Sequence, residues 1–206
     1  MVSCLGGPLP TTQPEANTAQ PAERVYWPTK AWRVVAPEEQ GMDAALLQEM
    51  LEAIDEQDLN IDSVVVVHNG HIVTERYYAP YQQDTPHETY SVTKSVISAL
   101  IGIAIQTGYI NSVDDSVLDF FPERTFKNDD LMKRSITLEH LLTMSSGLEW
   151  DGDEMVSSRD WVQSVLDQPM FIEPGTEFNY NSGNAHVLSA IIQKTSDLNS
   201  GDFAQQ

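Results

Sequence analysis

Ser91 and Lys94 stand three positions apart in Ser91-Val92-Thr93-Lys94-Ser95, at the head of an apolar run that reaches Thr107. On a helix this spacing puts hydroxyl and amine on one face, one turn apart, where they can meet. A serine hydroxyl is a weak nucleophile until a base takes its proton, and an amine desolvated among apolar neighbours has a lowered pKa that lets it do so. A helix N-terminus at Ser91 adds free backbone N–H groups and a positive dipole end where an oxyanion would form. The chemistry open to this pair is acyl transfer to a serine. Spacing alone carries little weight, because a Ser-x-x-Lys arises by chance about once in a chain of this length.

The elements that must position the pair follow from periodicity. Val92, Val96, Ile97, Leu100, Ile101, Ile103, Ala104 and Ile105 cover nearly all sides of the run after Ser91, which predicts a helix buried within a large protein and stopped by Gly108. Lys94 near its start costs free energy unless it is paired or neutralised, and that cost favours a functional reading. Upstream, Asp43 caps a helix carrying Leu47, Met50, Leu51 and Ile54 and ending near Gln57. Ser63 to Val67, the turn His68-Asn69-Gly70-His71, and Ile72 to Tyr78 predict a β-hairpin. Four consecutive valines imply a sheet covered on both faces, so further strands are expected, and no later segment of this chain supplies them. His68 and His71 lack carboxylate or cysteine partners and read as exposed turn residues.

Downstream, Ser112 to Pro122 reads as a short helix or turn, and Ile136 to Leu142 as a helix with Thr137 as N-cap and Gly147 as its stop. Glu149, Asp151, Asp153 and Glu154 form a solvated loop without the spacing of a calcium loop. Ser158 to Leu166 is an amphipathic helix with Trp161, Val162 and Val165 inward. A turn at Glu173-Pro174-Gly175-Thr176 leads through Phe178 and Tyr180 to Asn181-Ser182-Gly183, and Ala185 to Lys194 makes a last long helix, with another helix starting near Ser200. His87, four residues before Ser91, belongs to the entering loop, since the lysine already offers a base.

Composition excludes some functions. With 31 acidic and 11 basic residues the formal net charge is −20, which repels nucleic acid phosphates and anionic lipid surfaces. No apolar stretch reaches the ~18 residues that span a bilayer. Residues 1–24 read as a flexible linker before a domain covering 25–206, whose first segment is an extended arm packing Tyr26, Trp27 and Trp32 onto it. Cys4, the single cysteine, follows a small residue as in a bacterial lipoprotein junction, which would place the protein outside the cytoplasm on a lipid anchor; a cytoplasmic protein with an incidental cysteine is the alternative.

Taken in order, the Asn69-Gly70 hairpin, the Ser91 motif, Leu138-Glu139-His140-Leu141-Leu142-Thr143-Met144-Ser145-Ser146-Gly147-Leu148, and Pro174-Gly175 leading to Tyr180-Asn181-Ser182 resemble the serine beta-lactamase-related hydrolases. That family includes class C beta-lactamases, DD-peptidases, carboxylesterases and 6-aminohexanoate-dimer hydrolases. The resemblance implies an α/β (α+β) fold, an antiparallel sheet flanked by helices beside a helical region of about 112–195. It implies Ser91 as nucleophile, Lys94 as base, and Tyr180 as the tyrosine that shuttles protons. Ser182 would contact substrate at a position where relatives often have asparagine, a departure that leans toward ester or amide substrates rather than lactams. The implied reaction is acyl-enzyme formation and hydrolysis of a small-molecule or peptide-like substrate, with no metal and no cofactor. The family's third motif, a lysine or histidine, a small residue and glycine, is expected on a strand beyond Gln206, the chain reading as truncated; Lys194-Thr195-Ser196 is a decoy at a helix end. A penicillin-type sensor that binds without turnover, and an inactive fragment of the hydrolase, are the alternatives.

Overall fold

The structure is a computed structural model that describes residues 26–150 and 152–206. The expected linker, Cys4 and its tether lie outside the described residues. The chain divides into two units, Met1–His87 and Glu88–Gln206.

The first unit holds helix α1 (Ala44–Glu56) and strands β1 (Arg33–Val34), β2 (Ser63–His68) and β3 (His71–Tyr77). Asp43 caps α1 as expected, its carboxylate accepting the N–H groups of Ala45 and Leu46, and Leu51 and Ile54 are buried. The hairpin forms through Asn69 and Gly70, both with positive φ. The sheet is mixed rather than antiparallel throughout. β1 lies parallel to β3 on the side opposite β2, so the order is β1-β3-β2. This third strand comes from the N-terminal arm, where Pro28 and Pro37 hide it from pattern reading by leaving two paired residues between them. Tyr26 packs there on the Arg33 guanidinium and the His71 ring, whereas Trp27 and Trp32 stand exposed. Within β2, Val65 and Val67 are exposed and Val64 and Val66 half-buried, so this chain itself covers one face of the valine run.

The second unit is helical. α2 (Val92–Gln106) and α7 (Ser182–Ser196) are its long members, and α3 (Leu131–Arg134), α4 (Leu138–Leu142), α5 (Gly152–Ser157), α6 (Trp161–Leu166) and α8 (Ser200–Phe203) surround them. One core unites them: Ile97, Leu100, Ile101 and Ala104 of α2 meet Val187, Leu188, Ile191 and Ile192 of α7, with Leu138, Leu141, Val165 and Leu166 filling the remainder. Burying each such side chain contributes roughly 1.5–3 kcal/mol. The face of α2 bearing Val92, Val96 and Ile103 is exposed, contrary to the all-round burial that its composition suggests. Gly108 ends α2 with φ +83°, as expected.

Two local expectations need correction. The acidic segment read as a loop is α5, with Asp153 and Glu154 in its first turn, where the helix dipole favours them; Asp151 lies outside the described residues. α4 ends at Leu142, well before Gly147, whose φ of +73° serves a close approach instead. A Cβ there would lie 2.1 Å from the Ile172 carbonyl oxygen. Among the described residues no helix is long and apolar enough to cross a membrane.

His186 on α7 stacks edge-on against Trp161, ring centroids 5.1 Å apart, and burial lowers its pKa, with Asp160 opposing. The imidazole therefore binds its proton less readily in the folded than in the unfolded chain, and stability falls as pH drops below the unfolded value of about 6.5. Urea unfolding at pH 7.5 and 5.5 is expected to show that loss, and His186→Gln to remove its histidine part. An unchanged slope in the variant would assign the pH dependence elsewhere.

Candidate active site

Ser91 is the N-cap of α2, and the residue before it, Tyr90, has φ +43°. A non-glycine residue in the left-handed region carries strain of order 1–3 kcal/mol, and such strain gathers where a side chain must be presented in one direction. Here it turns the chain sharply into the helix and leaves Ser91 exposed. The Ser91 N–H makes no hydrogen bond among the described residues, while the next three N–H groups bond to Thr89, Tyr90 and Ser91 carbonyls. One free donor thus points out at the helix start, where the dipole is positive.

Lys94, one turn on, donates from Nζ to Ser91 Oγ at 3.1 Å. It is half-buried rather than enclosed, because the face of α2 that carries it is the open one. Tyr180, 89 positions along the chain from Ser91, brings its hydroxyl to 2.8 Å from Ser91 Oγ, and Lys94 Nζ sits 5.0 Å from the centre of its ring. The phenol is held below its ordinary pKa near 10, first by hydrogen bonding with Lys94, then by Ser91, with a smaller contribution from Ser182. Lys94 and Tyr180, both named from sequence, come together on the Ser91 oxygen, and Ser182 acts on the Tyr180 hydroxyl.

The segment carrying Tyr180 is held from two sides. Asn181 is buried and caps α7 by accepting the Gly183 N–H at 2.8 Å, which fixes the entry of the helix directly after Tyr180. The Asn181 Nδ2 has no partner among the described residues. On the other side the stretch after α4 acts as a rail. Met144 O accepts the Asn179 N–H at 2.7 Å, Ser145 O the Gly175 N–H at 2.8 Å, and Ser146 Oγ bonds Asn184 Oδ1 at 3.1 Å. Met144 takes φ +56° to turn its carbonyl this way. The Thr143-to-Leu148 motif therefore earns its place by registering Tyr180 against the serine.

Sequence reasoning missed Lys133. It is fully buried, and its ammonium donates to the carbonyls of Lys127, Leu166 and Gln168 at 2.7, 2.7 and 2.8 Å. Burial lowers its pKa, partly offset by Asp167, Asp130 and Asp129. The turn it holds at the end of α6 runs into Pro169 and Met170, which pair with Glu149 and Leu148 beside the rail. A lysine in a four-residue helix carries no sequence signal for this, because two of its three acceptors are backbone groups 33 and 35 positions away. The other candidates fall elsewhere. His87 pairs with Asp62 at 2.7 Å, and Lys194 sits in the last turn of α7, ion-paired with Glu123.

A serine at a helix start, a lysine one turn on and a tyrosine on the segment before a second core helix thus meet in one place, and the sequence comparison supplies the class. A sequence model of the beta-lactamase family matches residues 12–206, so the chain belongs to that family. Among curated relatives, Protein flp of Staphylococcus aureus is 28% identical over 167 residues, which cover 71% of this chain and 33% of that protein. Among solved structures, a putative beta-lactamase from Bacteroides dorei superposes with TM-score 0.63 at 22% identity, covering 79% of this chain and 49% of the other. A putative 6-aminohexanoate-dimer hydrolase from Bacillus anthracis does so with TM-score 0.59 at 22% identity, covering 72% and 43%. The chain thus spans about a third of the curated relative and under half of these structures.

Proposed function

We propose that this chain carries the nucleophilic centre of a serine hydrolase that works through an acyl-enzyme on an ester or amide. The observation that carries the reading is the convergence of Lys94 Nζ and the Tyr180 hydroxyl on Ser91 Oγ. A serine oxygen has one proton and two lone pairs. With the lysine donating to one lone pair, the proton can leave along the 2.8 Å contact to Tyr180 once its phenol is ionised. That phenol donates to Ser91 Oγ when neutral, and the same lysine holds it in a more acidic range. The base is then the Tyr180 phenolate, paired with Lys94. As Ser91 Oγ bonds to the substrate carbonyl carbon, that proton passes to the pair and on to the leaving group as its bond breaks; water repeats the sequence to release the acid. The free Ser91 N–H supplies one donor to the tetrahedral oxyanion.

Labelling with a fluorophosphonate, followed by peptide mapping, tests the reading together with turnover of a p-nitrophenyl ester. Expected are an adduct on the Ser91 peptide and continuous release of nitrophenol. Stoichiometric labelling without turnover would favour a binding relative, and an adduct elsewhere would sink the assignment. The pH dependence of acylation adds a second check. A rate that needs the phenolate rises as pH climbs through the lowered tyrosine pKa, so the rise is expected below pH 10 and should vanish in Tyr180→Phe.

A further inference from the structure

Beside the segment that ends in Tyr180 lies a cleft of about 480 Å³ lined by Glu149, Trp150, Phe171, Glu177, Phe178 and Asn179. Phe178 and Tyr180 are two positions apart in the non-helical run before Asn181, and both stand out to solvent, 72% and 47% exposed, while Asn179 between them is half-buried. Phe178, which lines the cleft, stands two positions before Tyr180, so the cleft borders the segment that brings the phenol to Ser91. Phe171 is 46% exposed as well. Two phenyl rings held in water cost free energy that an occupant would recover. Neither the Glu149 nor the Glu177 carboxylate has a partner among the described residues, and no lysine or arginine lines the cleft.

The chemistry of the occupant follows from these two facts together. A purely apolar group would cover the rings but strip water from two carboxylates with nothing in return. An anionic group would be repelled by both, within a chain of net charge −20. A cation with an apolar skin satisfies both, since aromatic faces attract ammonium groups and carboxylates neutralise them. Resting on the hydrolase reading above, we propose that the cleft selects substrates whose acyl part carries an alkyl or quaternary ammonium group, with Glu177 and Glu149 as the specificity-determining charges.

The test compares two p-nitrophenyl esters of one shape, 4-(trimethylammonio)butyrate and 5,5-dimethylhexanoate, which differ in nitrogen against carbon at the branch. Each kcat/KM is divided by the spontaneous hydrolysis rate, and the ratio of the two cancels any general loss of activity. A preference of about tenfold for the cationic ester is expected, the size of a partly desolvated cation on aromatic faces. It should shrink at least about threefold in Glu177→Gln or Glu149→Gln and weaken with salt. Equal rates, or a preference that both variants keep, would overturn the inference, the latter by tracing it to net charge, and would leave the hydrolase reading standing. Absence of turnover for both esters together with absence of an adduct on Ser91 would overturn that reading, and this inference with it.

Discussion

Ser91→Ala is expected to lose fluorophosphonate labelling entirely and to lower ester turnover by at least about 10⁴-fold, the usual cost of removing a nucleophile that acts as part of a unit. Lys94→Met keeps the length and apolar stem of the side chain but removes the ammonium that donates to Ser91 Oγ and does most to lower the Tyr180 pKa. Its loss should approach that of Ser91→Ala, at least about 10³-fold. The double variant should be no worse than Ser91→Ala alone, because proton transfer from a hydroxyl that is absent cannot be lost twice. Burst and steady-state kinetics of the three proteins check this. Additive losses would show that Lys94 acts on something other than Ser91, and full labelling of Ser91→Ala would place the nucleophile elsewhere.

The second large effect lies away from the chemistry. Lys133→Met preserves volume but removes the charged donor from the carbonyls of Lys127, Leu166 and Gln168 in a site with no exposed surface. The methionine buries well, yet it cannot donate, and buried carbonyls left without a partner cost about 1–3 kcal/mol each. Some relaxation will return part of this, so the expected loss is about 3–5 kcal/mol, in line with breaking a buried charged contact. Urea unfolding measures it. A change under about 1 kcal/mol, the size of an exposed ion pair, would mean that water reaches those carbonyls. Because the same turn pairs through Met170 with Leu148, a folded Lys133→Met protein should also acylate more slowly as the rail under Tyr180 loosens.

Much of the local structure was legible because it obeys short-range rules. The cap at Asp43, the Asn69-Gly70 hairpin, the cap at Thr137 and the stop at Gly108 each depend on a few neighbouring residues whose preferences are intrinsic. The pairing of Ser91 with Lys94 belongs with them, since helix geometry alone joins positions three apart. Other features were invisible for a definite reason. A two-residue strand between prolines has too little pattern to read, and the parallel pairing of β1 with β3 becomes visible only once the hairpin exists to receive it. The acidic segment at Asp153 and Glu154 looked like a loop because its charges suit a helix start as well as solvent.

The residues alone were enough to join Ser91, proposed above as nucleophile, to Lys94 and to order the motifs, because those rest on local geometry and spacing. The folded chain was needed to show that Tyr180 meets Ser91 across 89 positions and that Lys133 ties down the turn behind the rail. Those contacts arise when the α2 and α7 faces bury against each other, and the chain separation that they bridge leaves no periodic trace in the residues between.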